Sequence, residues 1–252
     1  MFEIIINLLP DPRLWWVLIG CSILVGFCKT GITVVGTAVV PIMALAFGAR
    51  PSTGLLLPLL CIADLGAIIY YRRNCSWHHV FKLLIWAILG LFVGIVIDHF
   101  VPLSMFKYLI AFSIMISVVV LLLGELRKSK EETPQKGWVL ALYGVIGGFA
   151  TMVGNAAGPI MSVYLLSIKM PKMLFVGTSA WFFMLLNYTK LPLQIWVWDN
   201  IHLDSLLAGA LMIPFIALGS WLGVTLVKSL PENIYRHLVI WITLASAVVI
   251  LL

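Results

Sequence analysis

One lysine and one aspartate lie where an apolar sequence should tolerate neither. Lys29 sits deep within an apolar run, and Asp64 is the only carboxylate in the middle of another, Leu59-Leu60-Cys61-Ile62-Ala63-Asp64-Leu65-Gly66. A charge at membrane depth is costly, so each group needs a partner or a hydrated cavity. Lys29 reads as an anion-attracting group, as an amine snorkelling to an interface, or as the structural partner of an acid. Asp64 reads equally as an ion-coupling group that relays protons and as that structural acid.

Glycine interrupts the apolar run around Lys29, in Gly26-Phe27-Cys28-Lys29-Thr30-Gly31 and on through Gly36 to Pro41. A second interruption runs Gly147-Gly148-Phe149-Ala150-Thr151-Met152-Val153-Gly154-Asn155-Ala156-Ala157-Gly158-Pro159. Glycine and proline break helices and leave backbone N–H and C=O groups without internal partners. In hydrocarbon such groups persist only where they face protein or a watery cavity. Paired interruptions at corresponding positions of two halves point to the substrate site of a transporter.

The residues flanking the breaks suit an oxyanion. Thr30, Thr33 and Thr37 flank the first break, and Thr151 and Asn155 the second. The N–H groups freed around Gly31, Gly36, Gly154 and Gly158 are further donors, and half-helix N-termini add a positive dipole end. The bland alternative is that each threonine bonds back to its own helix. Lys190, at the end of a later span, is either a snorkelling anchor or part of the outer mouth of an anion path.

Composition states which elements must position these groups. Hydrophobic residues make up 62% of the sequence and charged residues 10%, far below the roughly 25% charge of soluble domains. Mean hydropathy is +1.11. The 252 residues hold about eight spans of about 20 residues and no separate soluble domain. The fold class is therefore all-α and polytopic, with the lipid bilayer as its solvent. The net charge of +6 is no sign of nucleic-acid binding, because the basic residues gather in short loops between apolar runs. Met1 to Pro10 carries Glu3 and no Lys or Arg, so the basic region of a cleaved signal peptide is not expected. Cys21, Cys28, Cys61 and Cys75 form no C-x-x-C pair, and His78, His79, His99, His202 and His237 sit in or near loops. Neither a disulfide framework nor a metal site is expected. No phosphate-binding G-x-x-x-x-G-K-[ST] motif occurs, so transport would be secondary and no cofactor is implied.

Apolar runs fall at about 14–47, 52–71, 80–97 and 105–124, and again at about 138–168, 173–193, 204–226 and 234–252. The organisation expected is a first membrane repeat over 1–124, a cytoplasmic linker over 125–137 and a second repeat over 138–252. Each half opens with one overlong broken run. From Leu14 to Cys28 the first arm is 15 residues, about 22 Å, short of a hydrocarbon core near 30 Å. That length favours a re-entrant hairpin and hence two inverted repeats. Loop charges agree. With hairpins, 11 basic residues fall on the cytoplasmic side and 4 (Arg13, Arg50, Lys107 and Lys190) outside; single crossings give 9 against 6. Both termini are then outside. Trp15, Trp16, Trp77, Trp138, Trp196 and Trp198 fall near the expected interfaces, where amphipathic rings settle.

These stretches together resemble the TauE/SafE sulfite-exporter family. The resemblance rests on Gly147 to Pro159 and on Phe175-Val176-Gly177-Thr178-Ser179-Ala180-Trp181-Phe182-Phe183, followed by Asn187 and Lys190-Leu191-Pro192. In the first half it rests on Leu57-Pro58-Leu59-Leu60, Asp64, Tyr71-Arg72-Arg73 and Trp77, so it covers nearly the whole chain. Lys29-Thr30-Gly31-Ile32-Thr33 departs from the family pattern in having fewer glycines, which bears on substrate choice. The resemblance implies a bacterial inner-membrane permease, typically an exporter, whose partner is a small sulfur-containing anion such as sulfite or an organosulfonate. It brings Thr178 and Lys190 into the candidate substrate-binding set. It fixes neither the substrate, the direction, the coupling ion nor the oligomeric state. The competing classes fit less well. A soft-metal permease would gather carboxylates or thiolates, and an intramembrane enzyme would need a nucleophile and a base at membrane depth. A receptor leaves the costly breaks unexplained.

Overall fold

The computed structural model describes residues 11–100, 105, 108, 112 and 137–251, without the side chains of 98, 99 and 243–251. The expected span at 105–124, apart from three isolated positions, and all but the last residue of the linker lie outside the described residues, as do Glu3, Lys107, Arg127, Lys128, Lys130 and Lys136.

Helices make up most of the described chain, and no strand occurs among the described residues. In order they are α1 (Pro12–Thr30), a 3-10 turn (Thr33–Val35), α2 (Gly36–Phe47), α3 (Ala49–Tyr71), α4 (Trp77–Phe100), α5 (Gly137–Gly154), α6 (Gly158–Ser167), α7 (Lys172–Trp196), α8 (Leu203–Leu211), α9 (Ile213–Ser229) and α10 (Glu232–Leu251). Among the described residues four helices are long and apolar enough to cross a membrane, and a fifth span arises if α8 and α9 count as one. Those two meet at Met212 with a bend of 52°, where one straight span over 204–226 was expected. Pro214, in the first turn of α9, lacks an N–H to continue the helix through the bend.

The first arms are longer than glycine content suggests. α1 runs 19 residues to Thr30, and α5 runs 18 to Gly154, so Gly26 and Gly148 lie inside helices and not in the breaks. At 1.5 Å per residue the arms reach about 27–29 Å, against the about 22 Å expected of the first. The second arms are short, 12 residues in α2 and 10 in α6. Each packs against its first arm. Leu18, Cys21 and Val25 of α1 share a core with Val39, Val40 and Met43 of α2. Likewise the rings of Tyr143 in α5 and Tyr164 in α6 lie 5.9 Å apart.

Packing between the halves is reciprocal. The most extensive helix contacts are α4 on α5 and α9 on α1, followed by α3 on α7. Thus the helix after the central one in each half covers the opening arm of the other half. The interior glycines explain how. Gly26 lies against the backbone of Ile216 and Ser220, and Gly148 against that of Ala87. A Cβ at either place would collide with main chain, and small residues let helices approach this closely where no water drives them together. Gly26 and Gly148 therefore serve packing.

Candidate functional site

The second break is three residues, Asn155 to Ala157, and its cause is local. Asn155 takes a left-handed backbone, φ 54°, a conformation asparagine tolerates better than most residues. Its N–H bonds the carbonyl of Thr151 at 3.0 Å, the usual stop for a helix ending on a left-handed residue. α6 restarts at Gly158, with Pro159 in the first turn where its missing N–H costs nothing. Gly158 has a second reason to be glycine. A Cβ there would come within 3.1 Å of the Thr33 carbonyl, so this is where the two breaks touch.

The first break is narrower and its carbonyls are capped by tyrosines. Tyr71 donates its hydroxyl to the carbonyl of Thr30 at 2.8 Å, and Tyr235 donates to that of Gly31 at 3.1 Å. The 3-10 turn then uses the N–H of Gly36, which bonds Thr33 and Val34. Gly36 is thus not a freed donor as expected. Its closeness to Cys28 matters instead, since a Cβ would lie 2.9 Å from the sulfur.

Between the breaks lies a buried cavity of about 30 Å³. Lys29, Thr33, Gly36 and Thr37 line it from the first hairpin, Thr151, Asn155 and Gly158 from the second, and Phe183 and Asn187 from α7. Val25, Cys28, Leu56 and Leu60 complete the wall. The N-terminal ends of α2 and α6 both face this space, which favours negative charge there. A volume of this size holds little more than a water or two, less than a sulfite ion needs.

Two lysines stand beside the cavity in different company. The Lys29 amine is 2.7 Å from Asp64 Oδ1 and 4.5 Å from the centre of the Phe183 ring. Asp64 is fully buried, and its other oxygen accepts from Asn187 Nδ2 at 2.7 Å. The snorkelling reading of Lys29 therefore fails; it is 6% exposed and paired. Lys190 is buried completely, so it is neither a snorkelling anchor nor a residue of an outer mouth. It donates to the Thr151 carbonyl at 2.9 Å, to the Thr151 hydroxyl at 3.2 Å and to Asn155 Oδ1. Removing it from the loop charges leaves Arg13, Arg50 and Lys107 in the expected outer set.

Other expected residues are placed elsewhere. Thr30 bonds the carbonyls of Gly26 and Ser220, at 3.0 and 2.8 Å, and faces an outer groove between α3 and α9. Gly31 packs against Gly223, and Gly154 ends α5 without lining the cavity. Thr178 accepts the Ser76 N–H at 3.0 Å and holds the loop after α3. Thr37 lines the cavity, yet its hydroxyl bonds back to the Val34 carbonyl at 2.7 Å, as the bland reading has it. Two residues absent from the expected set belong to it. Asn187 and Phe183 precede Lys190 on α7 by one and two turns, so a polar stripe 187, 190, 194 was readable at helical spacing.

A model of the sulfite exporter TauE/SafE family matches residues 17–250 of the chain. The chain belongs to that family. No curated protein and no solved structure gives a significant match. Both breaks, Asp64, Asn187 and Lys190 fall inside the matched region, and TauE/SafE membership with these apolar helices makes the chain a multi-pass membrane protein of a transporter family.

Proposed function

We propose that this TauE/SafE member is a secondary transporter, not an enzyme, that exports small sulfur-containing anions such as sulfite or organosulfonates across the bacterial inner membrane. The observation that carries the reading is the meeting of two helix breaks around one buried cavity with two lysines beside it. Backbone irregularity at such depth is tolerable where it is buried in protein or lines a cavity, and here it does line one, with donors that suit an oxyanion. In this reading Lys29, Thr33, Thr37, Thr151, Asn155 and Gly158 surround the anion, Asn187 orients Asp64, and Asp64 relays protons when the closed walls part.

We further read the two halves as inverted repeats. The exchange of partners, α4 on α5 and α9 on α1, is what a two-fold axis between the halves produces. In this reading each broken segment doubles back, the second half is reversed relative to the membrane, and the loop charges favour a cytoplasmic linker. In single-cysteine variants, an impermeant thiol reagent added from the periplasm should reach position 200 and miss position 130. Labelling at 130 would end the inverted arrangement.

The function itself is tested by flux. Purified protein in sealed vesicles should move sulfite or a sulfonate faster than empty vesicles do, and a proton gradient should change the rate. Movement of divalent metals with no movement of these anions would replace the proposal with a metal permease.

A further inference from the structure

A groove of about 640 Å³ runs between α3 and α9 on an outward face of the bundle. That volume lies within the roughly 300–1,000 Å³ of ligand sites. Ile69 and Tyr70 of α3 and Trp221 and Val224 of α9 form its apolar walls, and it reaches Thr30 and Ser220 beside the first break. Ile69 is 76% exposed and Trp221 64%, so in a bilayer the groove opens to lipid.

The serine and threonine hydroxyls in the groove are spent on backbone. Thr30 bonds the carbonyls of Gly26 and Ser220, and Ser220 that of Gly26 at 3.4 Å. Thr225 donates to the Trp221 carbonyl at 2.8 Å and Ser229 to that of Leu226 at 3.0 Å. A hydroxyl carries one proton, so none of these has a donor left for a polar solute. What the groove offers along its length is apolar surface.

One end differs. Lys228, in the last turn of α9, holds its amine 5.0 Å from the centre of the Tyr70 ring, and among the described residues it makes no hydrogen bond or ion pair. The common task of a lysine there is to cap the last carbonyls of its own helix. Lys172 of α7 does that instead, donating its amine to the carbonyls of Val227 and Leu230. Glu232, the next acid along the chain, accepts the backbone N–H of Lys172. Arg72 and Arg73, both exposed, follow α3 at the same end as Lys228.

We propose that this groove binds an anionic phospholipid of the bilayer, with an acyl chain along Ile69, Trp221 and Val224 and the phosphate at Lys228. From Ser220 to Lys228 is eight residues of helix, about 12 Å, so a chain hanging from that phosphate reaches the level of Thr30. Basic residues at the end of a groove between membrane helices attract anionic headgroups. A zwitterionic headgroup would bring its own cation beside Lys228, Arg72 and Arg73, so net negative charge is selected.

Native mass spectrometry of the purified protein, given equal amounts of dioleoylphosphatidylglycerol and dioleoylphosphatidylcholine, tests this. The wild type should retain phosphatidylglycerol in preference by at least about fivefold, the factor that about 1 kcal/mol for one lysine at a membrane surface gives. Lys228→Gln should remove most of that preference. Gly66→Leu should lower retention of phosphatidylglycerol with Lys228 in place. Gly66 lines the groove and a Cβ there meets only Ser220 Oγ, at 3.7 Å, so the larger side chain is tolerated and fills the acyl-chain space. Equal retention of the two lipids by the wild type, or an unchanged preference in Lys228→Gln, would overturn the charged site. Undiminished retention in Gly66→Leu would put the lipid outside the groove. A dimer free of lipid would make the groove an interface between copies of the chain and overturn the proposal as well.

Discussion

The two breaks solve the same problem with different materials. The first carries a charge of its own, Lys29, which Asp64 cancels 2.7 Å away, and its open carbonyls are closed by Tyr71 and Tyr235. The second carries no charge of its own. It uses a left-handed asparagine and takes the Lys190 amine from α7, with no carboxylate against it among the described residues. The difference is between a break fixed by an ion pair and one fixed by hydrogen bonds. The first break holds a matched ion pair and is tied to three other helices, while the second is held by the Lys190 amine bonded to neutral acceptors on Thr151 and Asn155.

The largest effect expected is on the ion pair. Asp64→Leu leaves Lys29 buried and unpaired, and breaking such a pair costs about 3–5 kcal/mol, read as a lowered unfolding transition in detergent. Adding Lys29→Met should restore much of that loss, because removing both partners of a buried pair is often close to neutral. A double variant no more stable than Asp64→Leu would show that the pair does more than cancel charge. Of intermediate size, Tyr71→Phe and Tyr235→Phe each strand a buried carbonyl at the first break. Each should cost about 1–3 kcal/mol of stability with anion affinity altered less than in any Asn155 variant. A Tyr variant that kept its stability and lost binding would move the site toward the tyrosines. The smallest effect on binding belongs to Thr30→Val, since that hydroxyl ties α1 to α9 and faces away from the cavity. Affinity should change less than about twofold, within the ±0.5 kcal/mol of a residue outside the site. A loss comparable to that at Asn155 would return Thr30 to the substrate set.

Much of this was legible in the residues, and the gaps have physical causes. The apolar runs locate the helices because burial in lipid demands them. The pairing of Lys29 with Asp64 could be anticipated, since each lone charge needs an explanation. Glycine misled in one respect. Gly26 and Gly148 look like helix breakers, yet both sit inside helices at close crossings, and a sequence does not say whether a glycine bends its own chain or admits another. The same limit hid the true breaks, which depend on the φ of Asn155 and on a 3-10 turn. Lys190 was misplaced because it ends an apolar run, where lysines commonly snorkel. Its burial follows from α7 crossing the middle of the molecule, flanked by α3, α4 and both hairpins. The stripe of Asn187, Lys190 and Gln194 at helical spacing was the available signal.

The central claim is that the two breaks form one anion site whose main donor is the Asn155 amide. Calorimetric titration of sulfite into purified protein, comparing wild type with Asn155→Gly, tests it most directly. Glycine keeps the left-handed backbone and takes away only the side chain. Removing a donor to a charged group costs about 1.5–3 kcal/mol, so sulfite should bind about 10- to 150-fold more weakly to the folded variant. Equal affinity in the two proteins would contradict the account and put the anion somewhere other than the meeting point of the breaks.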